Sequence, residues 1–561
     1  MESDQSLSSR GISRRTALRL VAASGAVALL AACQGAGTPP AATTAAGATQ
    51  APPKAGAPAS TPAAAGTKAG VGTLTVALSD LGNQNLDVIL ASTNNNVLNL
   101  IYERLMLYNE KGELIPALAE SWSMSPDGRQ WTFNLRKGVK WSNGDDFTSA
   151  DVALTFQRFV SDESKSAWSP MHRQTVERVE TPDANTVKVF AKAPPYLFYE
   201  DAVAGTYEIS KNHFEKVGLE AFTQQPMGTG PYKLTSFSPS SKAELEVNNS
   251  YWGTKPVWDK IVLLHAPEES TRIAMLKRGE ADIAGVSFDN AVALRSEGFE
   301  LRQTKASTVP SLCYAGYWMT PGPTSDQRVR EAMDIAINRQ ELVDSFFKGF
   351  AQPGAGNFAL TDLHYGFDPI WYSTKYDPER AKQLLKDAGY PGKFQNPAVK
   401  LFSGSQVGWQ PDFMQIISGY WEAVGIQTQI VPMDFTAMRT NWVAGDPNMM
   451  GGVVPWIGVG SGAAGNQMPA QQNNMTSKGV NHAANDPELD KMFADTIAEL
   501  DAKKRLDMWH TVQQKAFALH SFPGITRVYD QYAVSSKVGE FAGPTHLSQG
   551  FFIGLPWVQR K

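Results

Sequence analysis

The chain has 561 residues, a hydrophobic fraction of 42% and a formal net charge of −4. That apolar fraction is enough for substantial cores, and so small a net charge argues against a nucleic-acid partner, which calls for a basic face. There are two cysteines, Cys33 and Cys313, so the fold rests on packing and not on a disulfide framework.

The N-terminal region carries Arg10, Arg14, Arg15 and Arg19 ahead of an apolar run from Leu20 to Ala32. The run is roughly 13 residues, where a membrane-spanning helix needs about 20. A basic head, a short apolar middle and small residues at the end predict an export signal over residues 1–32. Ser13–Arg19 resembles the twin-arginine export motif, departing from it at Ala17, where the pattern prefers Phe. Leu30-Ala31-Ala32-Cys33 resembles the lipobox of bacterial lipoproteins. That resemblance implies a diacylglyceryl group on the Cys33 thiol and cleavage just before it. From Gln34 to Gly70 there is no Val, Ile, Leu, Met, Phe, Tyr or Trp. Such a segment has nothing to bury against its ordering entropy. Residues 33–70 are therefore expected to be a disordered tether, with an r.m.s. reach of roughly 30–35 Å.

About 490 residues remain, enough for two to four domains. Thr73–Leu78 predicts a strand with Leu74, Val76 and Leu78 on one face, and Asn94–Leu107 a helix carrying Val97, Leu98, Ile101 and Leu105. Trp131, Phe133 and Leu135 alternate with polar residues, as in a half-buried strand. Thr148-Ser149-Ala150-Asp151 has capping-box spacing ahead of a helix lined by Val152, Phe156 and Phe159. Thr186–Phe190 alternates again, and Tyr232–Phe237 with Ala243–Val247 predicts a hairpin. Val329, Ala332, Met333, Ala336 and Ile337 form a helical stripe, and Asn338 with Glu341 looks like a new cap. Asp377-Pro378 opens a helix that Gly389 ends. Val399–Phe402 and Ile426–Val431 predict strands around a helix that includes Ile416, Ile417 and Trp421. Leu489–Leu519 reads as one long helical region. Strands and helices mix without strict alternation, which predicts an α/β to mixed α+β class with several lobes.

Catalytic signatures are missing. No G-x-x-x-x-G-K-S/T, G-x-S-x-G or H-E-x-x-H occurs, and the eight histidines are scattered without metal-ligand spacing. Gly228-Thr229-Gly230 lacks the third glycine of a phosphate loop and runs into Pro231, so it reads as a backbone turn. No catalytic residue, metal or cofactor is expected, and with the tether this favours a binding protein over an enzyme.

Several ordered blocks carry a family resemblance. They are Pro116–Trp122 (PALAESW), Asp127–Arg136, Trp141–Val152, Gly228–Tyr232 (GTGPY), Asn248–Gly253 (NNSYWG), Leu276–Ile283, Asp326–Arg339 and Tyr376–Pro391. Together they resemble the extracytoplasmic solute-binding proteins of peptide/nickel-type ABC importers, family 5, over nearly all of Val71 to Lys561. The resemblance implies a two-lobed, periplasmic-binding-protein-like clamp with an extra subdomain. By analogy lobe I is 71–109, 223–285 and 522–561, the extra subdomain is 110–222 and lobe II is 286–521. It implies a monomeric receptor, lipid-anchored to the outer face of the cytoplasmic membrane, that captures a solute by lobe closure. The implied partners are an importer's permease and ATPase. The alternatives are a ligand-sensing or chaperone-like lipoprotein without transport and, further off, a secreted hydrolase.

In this family, peptide binders carry an acid three positions after a lobe II Trp. Here Trp456 is kept, Val459 stands at the acid position and no acid follows before Asp486. An acid from elsewhere, such as Asp434 beside Phe435, could stand in. A buried ammonium without an anion is costly, so ordinary recognition of a peptide amino terminus is not expected. Trp318 stands where the family often has Asn. The cleft positions implied are Trp456, Phe435, Trp409, Trp318, Trp168 and the loop Asn83-Gln84-Asn85. Aromatic faces with amides suit a sugar, an amphipathic peptide or a heterocycle equally.

Overall fold

The computed structural model describes residues 72–561 except 82–84, 91–95, 109–112, 167, 193–202, 358–359, 363, 391, 393–397, 405–406, 460–466 and 542–554; the side chains of 304–307, 459 and 469–470 are likewise outside the description. The export signal, Cys33 and the tether therefore lie outside the described residues.

Among the described residues, eleven strands join in one sheet. In chain order they are β1 (Thr73–Leu78), β2 (Tyr232–Ser238), β3 (Lys242–Val247), β4 (Lys260–His265), β5 (Ile283–Val286), β6 (Glu300–Tyr314), β7 (Ala351–Ala355), β8 (Val399–Ser403), β9 (Thr428–Pro432), β10 (Val453–Val459) and β11 (Gly524–Val534). Across the sheet they run β9-β8-β10-β6-β11-β5-β1-β4-β3-β2, with β7 added to β11. The hairpin expected after Pro231 is β2–β3, and β8 and β9 run parallel around the helix Gln410–Ala423, as the strand–helix–strand pattern predicted. A separate four-stranded antiparallel sheet holds Ala119–Met124, Gln130–Leu135, Thr186–Ala191 and Val176–Asp183.

The helices start where their caps demand. In α1 (Ser149–Val160) the Asp151 carboxylate reaches back to accept the Thr148 N–H at 2.8 Å. In α2 (Gln327–Ile335) and α3 (Pro378–Asp387) the side chains of Asp326 and Asp377 accept from the first turn, and Gly389 leaves α3 with φ +93°. Beyond α4 (Gln410–Ala423) lie α5 (Phe435–Val443), α6 (Met468–Met475), α7 (Pro487–Ala498) and α8 (Ala502–Ala518). The helical region from Leu489 to Leu519 is thus two helices and not one. Asp501, in extended conformation, accepts from Lys504 N and starts a second helix, and a side chain that caps competes with helix continuation.

The helix predicted over Asn94–Leu107 is also corrected. Its described part is only Leu98–Ile101, after which Tyr102 is extended and Met106–Tyr108 pairs with Leu114–Pro116. The Ile101 carbonyl is taken by the Gly230 N–H at 2.9 Å instead of by a further helical turn. A Cβ on Gly228 or Gly230 would lie 1.9 or 2.5 Å from that same carbonyl oxygen. The Gly228-Thr229-Gly230 turn is therefore glycine because backbone packs on backbone there.

Long β6 and β11 pair antiparallel with each other and each meets strands on both sides of the sheet. Gln303 pairs with Gln531, and the next pair is Ser307 with Tyr529. Residues 304–306 of β6 thus oppose Asp530 alone, a bulge that bends and twists the strand. A second register shift falls between Thr308 and Ser311. On the β1 side, one core gathers Leu74, Val76, Ile261, Leu263 and Ile283. On the β10 side, alternation sends Leu312, Tyr314, Leu401 and Val453 to one core and Cys313, Ala315, Phe402 and Val454 to another. The small sheet and α1 share a fourth core around Trp131, Phe133 and Trp141. A buried bidentate pair, Arg158 of α1 with Asp87 at 2.9 and 2.7 Å, ties α1 to the segment after β1. Removing one partner of such a pair typically destabilises by about 3–5 kcal/mol. Among the described residues, no helix is long and apolar enough to cross a membrane.

Burial raises the carboxyls of Glu208, Glu103 and Asp530 well above the ordinary range, Glu208 up to about 8 and the other two up to about 7. Such a group keeps its proton in the fold when the unfolded chain has lost it. Stability is then greatest below the ordinary value of 4.5 and falls as pH rises through 4.5 to 8. Glu208, 1% exposed, is the most enclosed of the three. Glu208→Gln, an isostere of the neutral acid, is expected to leave the melting temperature unchanged near pH 4.5 and to raise it increasingly toward pH 8.5. Parallel melting curves for the two proteins across that range would rule out a buried proton at Glu208.

Candidate functional site

Helix α5 begins at Asp434, whose carboxylate accepts the Ala437 N–H at 3.0 Å. This fixes the helix phase, and Phe435, Arg439 and Trp442, at i, i+4 and i+7, fall on one face. Opposite that face stands Trp456 of β10. Its ring is 6.4 Å from Phe435 and 6.1 Å from Trp442, edge-on to the latter. Trp442 is fully buried, whereas Phe435, Arg439 and Trp456 are half-buried. The stripe therefore runs from the core outward.

Arg439 occupies the centre of this aromatic wall. Its guanidinium carbon lies 5.0 Å from the Trp442 ring and 5.0 Å from the Trp456 ring, in cation–π range. Burial lowers its ordinary value. One Nη donates to the Asn481 side-chain oxygen. Asn481 is buried and anchored from three sides: its backbone carbonyl accepts from Trp442 Nε1 at 2.7 Å, its carbonyl also takes the Cys313 thiol at 3.5 Å, and its amide donates to the Asn474 side-chain oxygen. Asn474 lies on α6, one turn from Gln471, whose amide donates to the Asn357 carbonyl at 2.9 Å. A ladder of amides thus backs the wall. Two of its neighbours have polar atoms without a protein partner among the described residues. They are both side-chain atoms of buried Asn357, and the hydroxyl of Ser311, which lies opposite Trp456 in the β6–β10 register. Unsatisfied buried groups of this kind each cost about 1–3 kcal/mol.

The structure brings Phe435 to Trp456 and leaves the other expected positions elsewhere. Trp409 packs edge-on to Phe347 at 5.3 Å and beside Phe413, and Trp318 packs on Tyr317 at 4.9 Å. Both lie against the core on the opposite face of the sheet from Trp456. Trp168 packs in the core of the small sheet, where a Cβ on Gly205 would lie 2.0 Å from its indole. Asn85 accepts from Asp87 N and so supports the Asp87–Arg158 pair. Asn83 and Gln84 lie outside the described residues. The Val459 backbone pairs with Thr308, and Asp434 is engaged as a helix cap. The sequence reading missed Arg439, Asn481, Asn474, Asn357 and Ser311. Only the spacing of Arg439 from Phe435 and Trp442 could have pointed to the wall. Among the described residues, no group of three or more His, Cys, Asp or Glu side chains could hold a metal ion.

Comparison with known proteins agrees with this architecture. The family described as "Bacterial extracellular solute-binding proteins, family 5 Middle" matches residues 113–479. The chain is similar to a dipeptide-binding protein of Escherichia coli, 28% identical over 377 residues, covering 60% of this chain and 66% of that protein. It is similar to the glutathione-binding protein GsiB of Shigella boydii, 31% identical over 339 residues, covering 59% of this chain and 64% of that protein. The matched stretch is thus just under two thirds of the length of either relative. The ABC transporter substrate-binding protein CtaP of Listeria monocytogenes has the same fold, with a TM-score of 0.74 at 19% identity, covering 87% of this chain and 99% of that one. The mixed α/β clamp and the family match over well more than half of the sequence agree: the chain belongs to family 5 of the bacterial extracellular solute-binding proteins.

Proposed function

We propose that the chain is an extracytoplasmic receptor that encloses a small organic or peptide-like solute between two lobes and presents it to the permease and ATPase of an ABC importer. The lobes are those implied by the sequence, 71–109 with 223–285 and 522–561, and 286–521, with 110–222 as the extra subdomain. The observation that carries this reading is the half-buried Trp456–Phe435 wall beside β6 and β11, the two paired strands that connect both sides of the sheet. The names of the relatives, binders of dipeptide and of glutathione, support a peptide-like solute class. Lipidated Cys33 and the coreless segment behind it would act as anchor and tether, keeping the receptor near the importer without restricting its orientation.

Bulged β6 and β11 are suited to a hinge, because the ladder is locally interrupted at a bulge and a few residues there can take up a backbone rotation. Small-angle scattering with saturating co-purified solute is expected to show a smaller radius of gyration than the solute-free protein. An unchanged profile counts against a clamp.

Cys33→Ala is expected to shift the protein from the washed membrane fraction to the soluble extracytoplasmic fraction with its melting temperature unchanged. Retention in the membrane would show that the anchor lies elsewhere.

Trp456→Ala is expected to weaken solute binding by about 1–3 kcal/mol, the range of a lost aromatic hot spot, or roughly 5- to 150-fold in Kd. Calorimetry checks this, and an affinity within twofold of wild type removes Trp456 from the site.

A further inference from the structure

We propose that Arg439 is the polar recognition group of the lobe II wall, so that the solute presents a carboxylate there. This rests on the receptor reading above and names its ligand class.

The geometry supports it in three ways. First, Arg439 forms no ion pair among the described residues; it donates to the neutral Asn481 side chain. A half-buried guanidinium without a counter-charge is unfavourable, and a carboxylate that enters with the solute would relieve this. Other buried arginines differ. Arg158 and Arg339 meet carboxylates, and Arg330 spends its N–H groups on the carbonyls of Leu519, Thr324 and Ser325. Arg104 is 5% exposed and closed in by Tyr207 and Asn99, whereas Arg439 is half-exposed on the wall. Second, the guanidinium is held in place. The rings of Trp442 and Trp456 both lie 5.0 Å from it, and Asn481, anchored through its backbone carbonyl, holds one Nη. A stacked, planar fork keeps its remaining N–H donors in the plane, where a carboxylate is met bidentately. Third, the acid nearest to it along the chain, Asp434, is spent on capping α5. The wall thus carries a fixed positive charge. An ammonium placed against it would be repelled, and a carboxylate attracted.

Matched acid and amide probes test this. Glutathione, the dipeptide Ala-Phe, succinate and benzoate are each titrated calorimetrically against their carboxamides, with wild type, Arg439→Gln and Arg439→Lys. The solute retained on purification is identified by native mass spectrometry. The expected result is that at least one acid binds wild type at least 10-fold more tightly than its amide. Arg439→Gln should then lose at least 10-fold for the acid and bind acid and amide equally. Arg439→Lys should keep part of the preference, and acetylating the amino group of a bound peptide should change its affinity by less than threefold. Unchanged far-UV circular dichroism and melting temperature separate lost recognition from lost folding. The proposal is overturned if no acid binds in preference to its amide, if Arg439→Gln keeps the preference, or if the retained solute has no carboxylate. Scattering distinguishes the two readings. Closure around a neutral solute leaves the receptor intact and removes the role of Arg439. No closure and no retained solute removes the receptor reading itself.

Discussion

The antiparallel pairing of β6 with β11 is the constraint on which the remaining structure depends. Every backbone hydrogen bond lost between them would leave donors and acceptors unsatisfied at the centre of the sheet. The pairing brings together strands from distant parts of the chain, since Glu300 meets Val534 and Ser311 meets Gly524. On its other edge β6 pairs with β10 and sets its faces: because Ser311 is opposite Trp456, that ring lies on the Cys313 side and not on the Tyr314 side. The two register shifts are where this otherwise stiff connection can bend.

Charge is distributed unevenly over this frame. Where elements must be locked together, opposite charges are buried in contact. Asp87 with Arg158 fixes α1, and Asp334 with Arg339 and His520 fixes the end of α8 just ahead of β11. The Arg339 guanidinium and the hydrogen bond with His520 hold Asp334 below the ordinary carboxylate range in spite of its burial. Glu208 and Asp530 follow the other route, burial raising their pKa so that they favour the proton over a counter-ion. The wall around Trp456 does neither. Its cation is supported by rings and an amide, which orient a charge without cancelling it.

Local signals in the sequence were read well where local chemistry decides the outcome. The Thr148–Asp151 box, the Asp377-Pro378 start and the Gly389 stop each act within one helical turn, and each appears where expected. The alternation of Trp131, Phe133 and Leu135 needed only one buried face to become a strand. The failures fall where a distant segment intervenes. The helix expected to Leu107 ends at Ile101 because Gly230, far along the chain, takes its carbonyl. The break at Asp501 was local but was hidden by the apolar periodicity on either side of it.

The site shows the same division. By itself the sequence determined the class of the fold, the caps, the aromatic richness and, through ordered blocks such as Asp326–Arg339, the family; these depend on residue type and short spacing. It also singled out Trp456 and Phe435. Only the tertiary structure decided that Trp409, at the start of α4, and Trp318, in the turn after β6, pack on the opposite face of the sheet from Trp456, whose own side is set by strand register. Only the tertiary structure decided that Asn481, some forty residues beyond Arg439 on the chain, would hold that arginine against two indoles. Side chains separated by a strand, a loop and a helix are brought together by packing, and no periodicity in the sequence records which of them will meet.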